Sequence, residues 1–363
     1  MRVLFHLVSG QNSQVYIMSK FYKPSVNVLF FTESTRKNLA VLRGVLKGSE
    51  VKEIQINAFK YPKIRKVLRQ SIEELNSGDQ EMIFNITGGT KIQSIAMYEM
   101  ARENNWKAAY LDSENHKVLE LGGEVSEQLP IVDLVIDPIE YIQANGQKTR
   151  IEKVDYTADS KKLVEVLSKY HSDYKVFFNQ FAATRTSKAG ELHRYQESKG
   201  KIKGSFYETG QGSFRLRLVH YGKVLIELSE RENQVLIKDL AGEWLEKAAY
   251  QAIVDSKIFR RPVMGVKLLH PDLSDKNEFD VLAMYGTDLC VFECKSGAIK
   301  MGDIDHAIAI KKILGSYTRL FMISIKEPSA VMKARLEENR IVWIHLDHLK
   351  AKLEILSLSN SNV

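Results

Sequence analysis

Hydrophobic and polar positions follow two periods along this chain, and the places where the period changes mark its elements. Residues 3–8 are a continuous apolar run, as expected of a strand covered on both sheet faces. Residues 26–32, 53–59, 82–87 and 108–112 read as four more strands. Between them, residues 35–46, 63–75 and 91–102 read as helices. In the second of these Ile64, Val67, Leu68, Ile72 and Leu75 recur at helical spacing. Strands alternating with helices predict βαβ units with right-handed crossovers and a Rossmann-like sheet. Ligands of such sheets bind outside the carboxyl ends of the strands.

The stretch 130–138 (PIVDLVIDP) bounds this first domain, expected over 1–138. A connector is expected over 139–239. It has an amphipathic helix at 161–170, an apolar cluster at Phe177, Phe178 and Phe181, a polar run at 184–203, a Gly- and Lys-rich stretch at 199–212, and strands near 214–221 and 223–228. This reads as a helix with a small antiparallel sheet, winged-helix-like. A third domain is expected over 240–363. It opens with a helix at 240–252 whose apolar stripe is Trp244, Leu245, Ala248, Ala249 and Ile253, with Glu243, Glu246 and Lys247 on the opposite side. Strands at 263–269, 279–285 and 289–295, a helix at 304–314, a strand at 319–325, a helix at 331–338 and a strand at 341–345 follow.

The stretch NEFDVLAMYGTDLCVFECKSG (277–297) carries the most chemistry. Gly286-Thr287 between two apolar runs predicts a β-hairpin with a primed two-residue turn. A tight turn fixes the register, which sets Asp280 directly across from Glu293, with Cβ atoms about 5 Å apart. Two facing carboxylates repel, and a divalent cation between them removes the conflict, since hard cations take carboxylate oxygens. Strand alternation puts Lys295 on the same face as Glu293, while Cys294 points the other way, into a core with Phe292 and Cys290. The plainer alternative is a surface hairpin in which Lys295 pairs with Glu278.

An acid opening one strand and Glu-x-Lys closing the next resembles the PD-(D/E)XK nucleases, with Phe279 where the family name has Pro. The element order of the third domain agrees with that core. The resemblance implies that the carboxylates hold Mg²⁺ or Mn²⁺, and that Lys295 orients the attacking water or offsets charge on the phosphoryl group. It also carries a further acid to Glu246, through Gly242-Glu243-Trp244-Leu245-Glu246, and adds the Cys294 carbonyl as a metal ligand.

Three small polar loops lie at the carboxyl ends of the N-terminal strands: Ser9-Gly10-Gln11-Asn12-Ser13, Thr32-Glu33-Ser34-Thr35 and Asn85-Ile86-Thr87-Gly88-Gly89-Thr90-Lys91. In the third, Gly88-Gly89 lets backbone approach a ligand and Thr90 caps the next helix. The helix start and Lys91 make an anion site suited to phosphate. The pattern is neither a dinucleotide fingerprint nor a Walker A loop. With the C-terminal domain, this layout resembles the CARF-domain effector nucleases of type III CRISPR systems over nearly the whole chain, least over 125–240. That resemblance implies a homodimer whose cleft binds a cyclic oligoadenylate, most often cyclic tetra-adenylate, and thereby activates metal-dependent cleavage of single-stranded RNA or DNA, or nicking of DNA. It places ligand contacts on Ser9, Gly10, Gln11, Thr32, Glu33 and the turn Asn85, Thr87, Gly88, Gly89, Thr90 and Lys91.

Composition narrows the alternatives. At 363 residues, 27% charged and 44% hydrophobic, the chain suits two cores and a connector. No apolar run approaches the ~20 residues of a membrane span, and residues 1–10 read as a strand rather than a signal peptide. Two cysteines four apart on one strand cannot pair well and suit a reducing cytoplasm. The net charge of +7 is concentrated in 161–223, where 13 Lys and Arg face 5 Asp and Glu. Such a block attracts polyanions or is simply solvated. Arg215 and Arg217, sharing a face with Phe206 and Tyr207 nearby, are a candidate nucleic-acid patch. The run His345-Leu346-Asp347-His348 lacks further ligands and is set aside as a metal site. Two rivals remain open: a nucleotide-sensing, DNA-binding regulator with an inactive nuclease domain, and a restriction or repair nuclease that needs no activator.

Overall fold

The computed structural model describes residues 1–75, 80–121, 127–174, 192–196, 202–209, 213–230, 235–315 and 317–358; for 192–196, 202, 206–209, 213–214, 230, 236–237 and 356–358 it describes backbone alone. The N-terminal sheet has seven strands in the order β3-β2-β1-β4-β5-β6-β7. Strands β1 (Arg2–Leu7), β2 (Val26–Phe31), β3 (Glu50–Gln55), β4 (Glu81–Asn85) and β5 (Lys107–Asp112) are parallel. Helices α1 (Ser13–Tyr22), α2 (Leu39–Val45), α3 (Tyr61–Leu75) and α4 (Lys91–Glu103) fall in the gaps between them. The third strand begins three residues earlier than the sequence pattern suggests, because it lies at the sheet edge and alternates only weakly. The first predicted helix is split into a 3-10 turn (Glu33–Asn38) and α2.

Two antiparallel strands, β6 (Lys117–Leu121) and β7 (Glu127–Pro130), extend the sheet and are absent from the sequence reading. They are short, and β7 is mostly exposed.

The C-terminal sheet runs β17-β16-β15-β14-β13-β8. Its members are β8 (Lys148–Ile151), β13 (Arg260–Leu269), β14 (Asp275–Tyr285), β15 (Asp288–Lys295), β16 (Thr318–Ser324) and β17 (Ile341–His345). The four-residue β8, unanticipated, comes from the connector and pairs with β13 at the sheet edge. Strand β15 is the hub, antiparallel to β14 and parallel to β16. Its alternate residues feed two cores: Leu289 and Val291 one cluster, Cys290, Phe292 and Cys294 the other. Both cysteines are free and buried.

Helices α5 (Pro138–Ala144), α6 (Ala158–Tyr170), α7 (Val235–Lys238), α8 (Trp244–Ser256), α9 (Met301–Leu314), α10 (Ala330–Glu338) and α11 (Leu349–Leu358) complete the chain. The connector's sheet is antiparallel and four-stranded, β12-β11-β10-β9: Lys223–Glu230, Ser213–His220, Ile202–Thr209 and Leu192–Gln196. Phe177, Phe178, Phe181 and most of the polar run at 184–203 lie outside the described residues, as do the side chains of Phe206 and Tyr207. Arg217 pairs with Glu227 at 3.7 Å on an exposed face.

One apolar cluster runs from Leu4, Val15 and Tyr16 through Tyr141 and Ile142 to Leu282, Met284 and Leu289. The N-terminal and C-terminal sheets are therefore packed on a shared core. Among the described residues no helix is long and apolar enough to cross a membrane.

Candidate functional site

The hairpin forms with the register that its turn dictates. Gly286 takes φ +54°, the left-handed value asked of the first residue of a Gly-X primed turn. The ladder pairs Tyr285 with Asp288, Met284 with Leu289, Ala283 with Cys290, Leu282 with Val291 and Val281 with Phe292. It ends there, one step before Asp280 and Glu293. At that step the Asp280 side chain replaces backbone: the Cys294 N–H donates to its Oδ2 at 2.6 Å.

Glu293 is 5% exposed, and its Oε1 has no hydrogen-bond partner. Its Oε2 lies 3.6 Å from Lys295 Nζ, which is also 3.9 Å from Asp303 Oδ1. Lys295 does not pair with Glu278; that acid lies 3.8 Å from Lys267.

Burial sets the electrostatics, because a carboxylate stripped of water favours its neutral form. Asp280 is pushed up to about 6 by burial, against the Cys294 N–H and Lys295. Glu293 is pushed to about 8 by burial and then by Asp280, against Lys295. Glu246 is likewise raised to about 8, by burial and then by Asp280, Glu243, Glu278 and Glu293. For Lys295 burial acts downward, but Glu293, Asp280 and Asp303 outweigh it and raise its pKa.

The sequence turn before Glu246 has a physical reason. Gly242 takes φ +140° and kinks the chain between α7 and α8, a conformation that side-chain-bearing residues rarely adopt. The start of α8 is then fixed by Lys247. The sequence puts Lys247 on the polar side; the structure buries it to 1% exposure. Its Nζ lies 2.5 Å from Asp239 Oδ1, and Ser160 Oγ donates to Asp239 Oδ2 at 2.6 Å. The partner charge sits eight residues back, across a kink that helical periodicity does not reveal.

The donors are of the kind a hard divalent ion takes: carboxylates within electrostatic reach of one another, one of them with a buried oxygen lacking a hydrogen-bond partner. Among the described residues, however, no group of three or more His, Cys, Asp or Glu side chains is gathered so that it could hold a metal ion as it stands. Glu246 is near enough to feel Asp280 and Glu293 but is not clustered with them. Asp303 escaped the sequence reading. A capping pattern gives it away, since it accepts from the Lys300 N–H at 2.8 Å at the start of α9.

A second site lies at the carboxyl ends of the N-terminal strands. A cavity of about 220 Å³ is lined by Ser9, Gln11, Ser13, Gln14, Thr87, Gly88 and Gly89, with Tyr110, Ser113, Tyr141 and Tyr317 among the rest. The glycines are required there. A Cβ on Gly88 would stand 2.4 Å from Gln14 Nε2 and 2.6 Å from the Leu7 carbonyl, and Gly89 has φ +78°. Beneath the turn, a buried polar row spans three strands: Asn27 Oδ1 is 2.9 Å from His6 Nε2, and Asn85 Nδ2 donates to His6 Nδ1 at 3.0 Å. Asn85 Oδ1 then accepts the Thr87 N–H at 3.1 Å. Burial lowers His6 to about 4, so the ring is neutral.

Of the sequence candidates, Ser9, Gln11, Thr87, Gly88 and Gly89 line this cavity, and Gly10, Thr32, Glu33, Asn85, Thr90 and Lys91 do not. Thr32 closes a capping box with Thr35. Glu33 is exposed and paired with Arg36 at 2.9 Å. Asn85 is buried under the turn. Thr90 caps α4 and donates to the Ala58 carbonyl at 2.8 Å. Gly10 and Lys91 are exposed to solvent. Gln14, Tyr110, Tyr141 and Tyr317 were missed; the first follows a named loop by one residue, whereas Tyr317 reaches the cavity only through the packing of the two sheets.

A Rossmann-like sheet with a cavity at its strand ends, fused to a sheet whose central hairpin ends in Asp280 and the buried Glu293 beside a lysine, defines a class: the CARF-domain nucleases. Residues 3–141 match the family described as Card1 CARF domain, and residues 233–358 match that described as Card1-like, endonuclease domain. The chain belongs to this family of Card1-type CARF nucleases. It is similar over 100% of both chains to Can2 from Sulfobacillus thermosulfidooxidans, solved in complex with cyclic tetra-adenylate, at 17% identity and a TM-score of 0.72. It is also similar to VC1899 from Vibrio cholerae, over 99% of this chain and 97% of that one, at 16% identity and a TM-score of 0.76. At such identities the likeness establishes the fold. No curated protein matches the sequence.

Proposed function

We propose that the protein is a cyclic tetra-adenylate-activated, divalent-metal-dependent endonuclease of type III CRISPR defence, working in the cytoplasm as a homodimer on single-stranded RNA or DNA, or nicking DNA. The observation that carries the catalytic half is the hairpin end, where Asp280, the buried Glu293 and Lys295 come together with one Glu293 oxygen unpartnered. Asp280, Glu293 and the Cys294 carbonyl would hold Mg²⁺ or Mn²⁺, with Glu246 drawn in from α8. Bound there, the ion would supply Lewis acidity and a more acidic water.

The chain's own residues do the rest. The Cys294 N–H holds one Asp280 oxygen in place, leaving the other to the site. Lys295, kept protonated by Glu293, Asp280 and Asp303, presents a cation to the scissile phosphate and offsets the charge that builds up in its transition state. Asp303 adds a further carboxylate 3.9 Å from that ammonium.

The activator half draws on the Can2 complex and on the cavity. At about 220 Å³ the cavity is smaller than the roughly 300–1,000 Å³ that drug-sized ligands occupy, which is in keeping with a four-nucleotide ring shared between two copies. That supports the dimer.

The rival, a nucleotide-binding regulator without turnover, draws on the absence of a gathered acid cluster among the described residues. The test is cleavage of labelled single-stranded RNA and DNA with Mn²⁺, with and without cyclic tetra-adenylate. Cleavage that needs both additions and disappears in Glu293→Ala supports the proposal. Activator binding without any cleavage favours the regulator, and cleavage without activator favours a stand-alone nuclease.

A further inference from the structure

The cavity at the strand ends is not closed by the N-terminal domain alone. Tyr317, from the turn leading into β16, lines it together with Ser9, Gln11, Gly88 and Tyr110. Tyr317 is 44% exposed and Tyr110 40%, so the lining includes two partly open aromatic rings. Burial raises the Tyr317 phenol, and Tyr110, Asp112, Glu114 and Asp288 add to it.

The turn that carries Tyr317 is fastened to the cavity wall. Gly315 has φ +109°, and a Cβ there would stand 3.3 Å from Gln11 Oε1. Asn145 Nδ2 donates to the Leu314 carbonyl at 3.3 Å, while its Oδ1 accepts from the Asn12 and Ser13 N–H groups at 2.8 and 2.9 Å. On the other side of Tyr317 lies the catalytic strand. The Tyr317 carbonyl accepts from the Leu289 N–H at 3.2 Å, at the head of the parallel ladder that ends with Glu293 beside Met322, Cys294 beside Ile323 and Lys295 beside Ser324.

The start of β15 is gripped a second time from the same cavity. Ser113, another lining residue, accepts from Thr287 Oγ1 at 3.2 Å, and His116 Nδ1 lies 3.0 Å from that hydroxyl.

We propose that Tyr317 is an activator-binding residue supplied by the nuclease domain, its ring stacking on an adenine of the bound cyclic oligoadenylate. This rests on the activator reading above. Aromatic rings stack on bases whatever the base, and the partly exposed ring of Tyr317 is one of the groups through which an occupied cavity touches the strand of Glu293. The nuclease domain thereby senses the ligand by contact.

The test is a titration of cyclic tetra-adenylate carrying 2-aminopurine, whose fluorescence is quenched on stacking, against wild type, Tyr317→Phe and Tyr317→Ala. Tyr317 is 44% exposed and belongs to none of the buried apolar clusters, so neither variant disturbs a core. Wild type and Tyr317→Phe should bind alike and quench alike. Tyr317→Ala should bind more weakly, on the order of tenfold, and leave the bound fluorophore brighter. Equal affinity and equal quenching in Tyr317→Ala would overturn the assignment of Tyr317 while sparing the activator reading. Absence of binding in wild type would overturn that reading, and this assignment with it.

Discussion

Removing the Glu293 carboxyl group should stabilise the metal-free protein. Glu293 is buried, its Oε1 is unpartnered, and its pKa stands near 8 rather than the ordinary 4.5. A carboxyl group with a raised folded-state pKa contributes its full share of stability below 4.5 and loses it as pH rises through about 8. At pH 7 the loss covers the interval from 4.5 to 7, at about 1.4 kcal/mol per pH unit, or roughly 3 kcal/mol. The Lys295 attraction at 3.6 Å is already contained in that shift. Glu293→Gln keeps the shape and abolishes the titration. The variant should therefore be the more stable protein at pH 7, by about 2–3 kcal/mol, and unfold several degrees higher. The assay is thermal unfolding in EDTA at pH 5, 7 and 8 for both proteins. The gap should be small at pH 5 and widen toward pH 8. A variant less stable at every pH, or a gap independent of pH, would refute the claim that repulsion and burial are stored at this acid.

Two further perturbations probe what frames the sites. His6 is neutral with a pKa near 4, so stability is complete above the unfolded value of 6.5 and is lost as pH falls toward 4; chemical denaturation at pH 7 and pH 4 should show wild type losing about 3 kcal/mol more than His6→Gln. Asp239→Ala leaves the Lys247 ammonium, 1% exposed, without its carboxylate; urea unfolding should show a loss of about 3–5 kcal/mol, whereas the double variant Asp239→Leu/Lys247→Met should recover most of it.

The parts of the fold and sites that the sequence disclosed are those governed by local rules. The buried parallel strands were legible as apolar runs, and α3 by its helical stripe. The pairing of β14 with β15 was legible because a two-residue turn leaves the register no freedom, and Gly286 supplies the backbone angle that turn needs. Likewise the Gly88-Gly89 turn was marked by residues that only a close backbone approach requires.

What stayed hidden depends on tertiary packing. Strands β6, β7 and β8 are four or five residues long, too short for a period to emerge. Lys247 reads as a surface charge until the kink at Gly242 brings Asp239 beneath it. Tyr317 lies far along the chain from the loops it faces, and no local pattern connects them. Thr32 and Glu33 show that a small polar loop at a strand end can also serve as a helix cap and a surface ion pair outside the cavity.

The proposed function rests on a divalent cation belonging at the hairpin end, with Asp280 and Glu293 to hold it and Glu246 within reach of their charge. It is tested most directly by Mn²⁺ binding, followed by electron paramagnetic resonance of the free ion at pH 7.5, in wild type and in Glu293→Gln. Wild type should remove one or two Mn²⁺ per chain from solution, with a gain in unfolding temperature, and Glu293→Gln should bind far more weakly and gain little. Equal Mn²⁺ uptake by the two proteins, or none by wild type, would contradict the account.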